Sequence, residues 1–299
     1  MHRSFAAWLS EKSWRAGLFS AIFGLLSPQG LSPVAAAAGA VSVLITLRDG
    51  AKSGANVALA GSVAVVAMLI AAGQSWGFAI ACAGGVFFAP WALAVLLRRT
   101  GALNLCFQLA VLSAGLVLCA IYVVLDDPVG TWMALVHDAA QAVAKSGWVA
   151  DEEAFFASLA TFNWGTYVAL WLLTGLGALF LGRWWQSLTS APGAFGAEFR
   201  QLRLGVFLGV ACVAVAFSTL VCSYFEVKVP MLSALNWLAL MALALQGLAA
   251  IHTLKAAGRI GRGWLIAVYV LLVIFNFVTV IALAGWGMAD NWQRTRAQV

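Results

Sequence analysis

Seven stretches of this chain run without a single Asp, Glu, Lys or Arg for the width of a bilayer core: 54–72, 76–97, 103–125, 162–181, 204–225, 231–252 and 263–286. A helix that crosses about 30 Å of hydrocarbon needs about 20 apolar residues. In lipid, only a helix or a closed barrel satisfies its own backbone. The period-2 alternation of a barrel strand is absent, so each stretch reads as a membrane-spanning helix. The composition agrees. Of 299 residues, 63% are hydrophobic and 9% are charged, with a mean hydropathy of +0.95, whereas a soluble domain carries about 25% charged residues. A soluble globule, a disordered chain and a disulfide scaffold are excluded. The expected class is all-α, a single polytopic helical bundle over residues 1–299.

Two further apolar runs, 16–26 and 33–47, are short. Pro28 and Pro33 break the chain between them. They read as a tight hairpin, a re-entrant pair or one broken crossing, giving nine crossings, or eight if they form a single span. Charge favours the hairpin, because Lys and Arg collect on the cytoplasmic side. With nine crossings and a cytoplasmic N-terminus, thirteen of the seventeen basic residues lie inside. Lys145, Lys228, Arg294 and Arg296 lie outside. A single broken crossing would lower the split to ten against seven. Eight of the eleven acidic residues, Asp290 among them, then fall outside. The C-terminal tail is the part of this scheme most sensitive to the span count. The N-terminus, with Arg3, Lys12 and Arg15 and no small-residue cleavage site, reads as a retained first helix rather than a signal peptide. The expected location is an inner membrane, with the N-terminus cytoplasmic. Trp14, Trp76, Trp164, Trp184, Trp185, Trp264 and Trp286 sit near proposed helix ends, where an indole prefers the headgroup layer.

The connection 126–161 is long and acidic. Pro128 can open a helix at its first position. Val129, Trp132, Met133, Val136, Ala140 and Val143 recur at helical spacing, which predicts an amphipathic helix on the outer surface. Asp151 can cap a further turn. This segment reads either as a connector or as a cap over an outward-facing cavity.

Chemistry has few places to sit. No charged residue lies deep in a span, where ion carriers usually keep one. His2, His137 and His252 have no carboxylate or Cys at useful spacing, and Cys82, Cys106, Cys119, Cys212 and Cys222 form no CxxC. No catalytic or metal-binding residue is assigned, no cofactor is implied, and no enzyme is expected. No basic block with interleaved aromatics is present, so nucleic acid is not an expected partner. The intramembrane polar residues are Asn56, Gln108, Asn163, Asn236, Gln246 and Asn276. They read as interhelical hydrogen-bond groups. Alternatively Asn163 and Asn236 join Gln74 and Trp164 in a solute pocket.

The most distinctive stretch is 182–203, with Arg183-Trp184-Trp185-Gln186 followed by Pro192-Gly-Ala-Phe-Gly-Ala-Glu-Phe-Arg-Gln-Leu-Arg-Leu204. Phe195, Phe199 and Leu202 fall at i, i+4 and i+7, with Glu198, Arg200 and Arg203 among them. It reads as an interfacial elbow, or as a docking site for a partner through Arg183, Trp184, Trp185, Phe195, Glu198, Arg200 and Arg203. Together with the run from Gln246 to His252 and the run from Arg262 to Tyr269, it resembles the YybS-like family of uncharacterised bacterial multi-pass membrane proteins. That family carries no established activity to transfer. At greater distance the opening hairpin resembles the membrane substrate-binding components of energy-coupling-factor vitamin transporters. Those are shorter, with about six spans, and their ligand motifs do not occur here. The expected function is a non-enzymatic, transporter-like membrane component that binds a small apolar or amphipathic solute. The alternative is a membrane scaffold that docks a cytoplasmic or membrane protein through 182–203.

Overall fold

The computed structural model describes residues 7–9, 11, 13–27, 33–145 and 151–296. Every regular element among the described residues is helical. In chain order we number them α1 (Ser13–Leu26), α2 (Pro33–Asp49), α3 (Ala51–Ala71), α4 (Trp76–Thr100), α5 (Leu103–Val124), α6 (Pro128–Lys145), α7 (Glu152–Ala160), α8 (Trp164–Ser190), α9 (Ala194–Phe199), α10 (Gly205–Tyr224), α11 (Pro230–Ala256), α12 (Arg262–Ile274) and α13 (Asn276–Arg296). Six of them, α3, α4, α5, α8, α10 and α11, are long and apolar enough to cross a membrane. Their outward faces are apolar as well. Phe207 is 78% exposed and Val123 80%. Such side chains belong against lipid tails, since water would not tolerate so much contiguous apolar surface. The breaker expected at Pro28, and the charges at Arg3 and Lys12, lie outside the described residues.

The chain divides into two compact units: Met1–Ala110 with Leu170–Arg203, and Val111–Ala169 with Leu204–Val299. The first is built around α2. That helix is rich in Ala, Val and Gly, and from Ala38 to Leu47 every residue is buried. A helix apolar on all sides belongs in an interior, and small side chains let its neighbours come close. Ser20 of α1 donates to Ala38 O at 3.1 Å. Thr46 presses on Gly54 of α3, and Val43 on Gly182 of α8. Gly17 faces Ala60 and Gly24 faces Val65, so α1 and α3 run parallel and in contact, with α2 antiparallel and packed against both. The first pair is thus two packed helices, a form common to the hairpin and re-entrant readings. In α4 a π-helical turn, Gly84–Phe88, precedes Pro90. Proline disturbs the carbonyl four residues back, here that of Val86. That carbonyl lies against Gly39, leaving no space for a Cβ there. Arg98 donates from one nitrogen to the carbonyls of Thr46 and Leu47, both at 2.9 Å. These belong to the last turn of α2, where helical carbonyls run short of backbone partners; Thr46 O also accepts from Gly50 N at 3.1 Å.

The second unit corrects the expected last crossing. A single helix over 263–286 does not form. It breaks at Phe275, with φ −120° and ψ 51°, and the chain doubles back. Tyr269 of α12 lies beside His252, at 2.9 Å between Oη and Nε2. Phe277 then packs against Trp237 with the rings tilted, centroids 5.7 Å apart. Gly287 returns to Gly247. Contacts therefore run down α11 and back up, so α13 lies parallel to α11. Thr279 bridges the break by donating to Leu271 O at 3.0 Å. As a result α13 ends beside the Lys255 end of α11. An uninterrupted crossing would have put Asp290 at the opposite end.

At the α11–α13 contact the backbones meet through Gly247 and Gly287, and a Cβ on either would strike the facing helix. Gly247→Ala or Gly287→Ala should cost about 1–3 kcal/mol, the range for overpacking a tight site. Gly263→Ala, where an added Cβ meets nothing within 4 Å, should leave the thermal midpoint in detergent unchanged. Equal midpoints for all three variants would contradict the close contact.

Candidate functional site

The long connection folds as two helices, and its caps explain where they start. Asp127 accepts from Gly130 N at 2.8 Å through Oδ1. It caps α6 just ahead of Pro128 at the first helical position. Asp151 caps α7 in the same way, accepting from Ala154 N at 2.9 Å. On α6, Trp132, Val136 and Ala140 are buried at four-residue spacing. His137 lies on the exposed side, 3.0 Å from Gln141 Nε2.

Trp132 anchors α6. Its ring meets Trp164 edge-on at 5.3 Å and Tyr167 at 5.9 Å between centroids. Trp164 Nε1 donates to Pro128 O at 2.7 Å. Asn163 sits just before α8 and accepts from Thr166 N at 3.1 Å, so its carboxamide acts as the helix cap. Gly165 lies against the backbone of Ala234, with no room for a side chain. This close approach brings the start of α8 to the start of α11.

Beside that contact is a cavity of about 490 Å³, within the range of small-molecule sites. The start of α6, the 160–164 turn, the ends of α5 and α10, and the 227–233 segment all contribute to its wall. Most of the lining is apolar, including Val129, Met133, Phe162 and Leu232. Its polar side chains include Tyr122, whose hydroxyl donates to Pro230 O at 3.3 Å, together with Asn163, Ser223, Ser233 and Lys228. Trp132 also lines it. The indole is only 8% exposed, and its Nε1–H has no hydrogen-bond partner.

Of the expected pocket residues, Asn163 and Trp164 line this cavity. Asn236 is half-buried two turns into α11 and does not line it; Gln74 is exposed in the turn after α3, in the first unit. Composition alone did not single out Trp132, Tyr122 or Lys228. Trp132 was visible only as one member of an amphipathic stripe.

The elbow at 182–203 is tied down within the first unit. Helix α8 continues to Ser190, so Trp184 and Trp185 are helical, and Trp185 is buried in the core around α2. Arg183 forms a two-pronged ion pair with Glu198, one arm at 2.9 Å, and also donates to Gln186. Phe195 and Phe199 pack on Phe180, at 6.1 and 5.6 Å between centroids. Arg200 and Arg203 are half-buried. Asn104 and Gln108 bind the backbone N and O of Arg203, at 2.7 and 3.0 Å. Gln108 thus bonds the connection between α9 and α10 rather than another helix.

A polar cluster in the second unit centres on Gln246, which is fully buried. Its Oε1 accepts from Leu204 N at 2.9 Å, and its Nε2 donates to Gly287 O at 3.1 Å and Asn291 Oδ1 at 3.3 Å. Asn291 in turn exchanges two hydrogen bonds with the backbone of Gly205, at 3.0 and 3.2 Å. These bonds tie together α10, α11 and α13.

No protein-family model, curated protein or solved structure matches the chain.

The Trp164–Pro128 bond is what fastens the start of α6 to α8. Trp164→Phe keeps the ring and removes the donor, which should cost about 0.5–1.5 kcal/mol. Hydrogen exchange across residues 128–145 should accelerate, with α11 amides unaffected. Unchanged exchange in α6 would show that the bond does not hold it.

Proposed function

We propose that this chain is a non-enzymatic inner-membrane component that binds a small apolar or amphipathic solute in the cavity beneath α6. The observation that carries this reading is a cavity of about 490 Å³ with a mostly apolar lining and a few polar groups, Tyr122, Asn163, Ser223, Ser233 and Lys228, converging on it. That combination is the usual make-up of a small-molecule site. The docking alternative through 182–203 has less behind it, because Arg183 and Glu198 pair with each other and Trp185 is buried. Kinship with the YybS-like family is kept as a proposal that rests on the quoted motifs alone.

The orientation belongs to the same proposal. α1, α2, α12 and α13 complete the set of crossings, ten in all, with both termini cytoplasmic. The doubled-back α12 and α13 are what support ten in place of nine. Arg294 and Arg296 then join the inner charges, leaving only Lys145 and Lys228 outside, which strengthens the positive-inside bias. The cavity opens at the outer end of its helices. A fluorescent-protein fusion at the C-terminus should be bright and an alkaline-phosphatase fusion inactive. The opposite pair of results would overturn this orientation.

For binding, the purified chain in neutral detergent should gain several degrees of thermal midpoint with at least one class of amphiphile. Leu232→Trp, which fills the cavity, should abolish the gain without lowering the midpoint of the free protein. No stabilisation by any amphiphile would sink the binding reading.

A further inference from the structure

We propose that the cavity takes an anionic amphiphile, with one acyl chain along its apolar wall and a carboxylate or phosphate headgroup at Lys228. This rests on the binding reading above and specifies its ligand. The argument rests on the charge and the wall chemistry of the lining. Trp132, Val129, Met133, Phe162 and Leu232 supply apolar wall. Lys228 is the one charged side chain in the lining, and it is exposed at the rim. Asn163 already uses its Oδ1 on Thr166 N, so what it can offer a ligand is its amide N–H. Ser223 and Ser233 bring hydroxyls. No carboxylate lines the cavity.

The acids nearest in sequence do not reverse this balance. Asp127 accepts from Gly130 N as a helix cap. Asp126 and Glu226 lie outside the lining. Glu226 occupies the left-handed region at φ 57°, an uncommon conformation for a residue other than glycine. It does so in a turn that Val227 N closes onto Cys222 O at 2.8 Å. That turn carries Lys228 at the mouth. The site is therefore cationic at its rim and apolar along its wall. A neutral sugar would leave the wall unfilled, and a cation would meet Lys228. A zwitterion would bring its own cation against Lys228. A chain bearing an anionic head matches both features, whether it arrives as a free fatty acid or as a bilayer phospholipid.

The test uses the full chain purified in a neutral maltoside. Affinities are measured by native mass spectrometry and thermal shift for palmitate, lysophosphatidylglycerol, phosphatidylglycerol in bicelles, and neutral monopalmitoylglycerol. The anionic probes should bind at least 10-fold more tightly than the neutral one of equal chain length. Lys228→Gln, an exposed change that leaves packing intact, should erase that difference by weakening the anionic probes. Leu232→Trp, which fills the cavity, should weaken charged and neutral probes alike. Palmitate binding without phosphatidylglycerol binding would support the proposal with a free fatty acid as the source. The reverse would support it with a membrane lipid. Neutral and anionic probes binding equally would overturn the anionic assignment and leave the cavity reading standing. Binding by none of the four would overturn both.

Discussion

Between helices in lipid there is no hydrophobic driving force, because the tails are as apolar as leucine. What holds such helices together is close backbone approach and the pairing of the polar groups that remain. In the first unit α2 supplies that approach, with Ala and Gly where a soluble core would place Leu or Phe. In the second unit Gly165 meets Ala234, and Gly247 meets Gly287. The large side chains are turned outward instead: Gly209 and Cys212 are the buried residues of α10, while Phe207 and Phe217 are exposed. At these contacts small residues face inward, and in α10 the large ones face outward.

Close approach leaves polar atoms with nowhere to go but one another. Thr46 and Ser42 hydroxyls bond back to their own helix. Arg98 covers the last carbonyls of α2, and Trp91 Nε1 reaches Ala51 O at 3.0 Å. Gln246 and Asn291 satisfy the amides at the start of α10, whose first N–H groups have no helical acceptor. Apart from the two hydroxyls of α2, each of these pairings joins segments far apart in sequence or seals a helix end. The polar residues act as fasteners at the ends and crossings of helices rather than as reagents.

Much of this was legible from the charge gaps, because the absence of charge is a local property of sequence. The same holds for the Asp151 cap and the α6 stripe, which depend on neighbours three or four residues away. The turn at Phe275 was not legible. No Pro or Gly marks it, and the run 263–286 stays apolar throughout. Reversal there is set by tertiary contacts, Phe277 on Trp237 and Gly287 on Gly247. The burial of Trp185 was hidden for a related reason. A Trp near a helix end reads as an interfacial anchor, and only the packing around α2 shows it enclosed. At the cavity, Asn163 and Trp164 could be picked out as polar or aromatic residues at a span end. Lys228 and Tyr122 join them through the folding of three separate segments.

Against this background of paired groups the Trp132 donor stands apart. Three buried side-chain polar atoms among the described residues lack a partner: Ser62 Oγ, Thr166 Oγ1 and Trp132 Nε1. The first two are hydroxyls, which both donate and accept. They can rotate, and in a helix they have a backbone carbonyl one turn away. An indole N–H has no rotor and no acceptor capacity. Trp132 is also fixed by two aromatic neighbours, so it cannot turn to find a partner without losing those contacts. Its ring is thereby held as a fixed part of the wall of a mostly apolar cavity that has Lys228 as a charged lining residue. That coincidence of a rigid apolar wall with a charged group is why the second unit carries the functional reading.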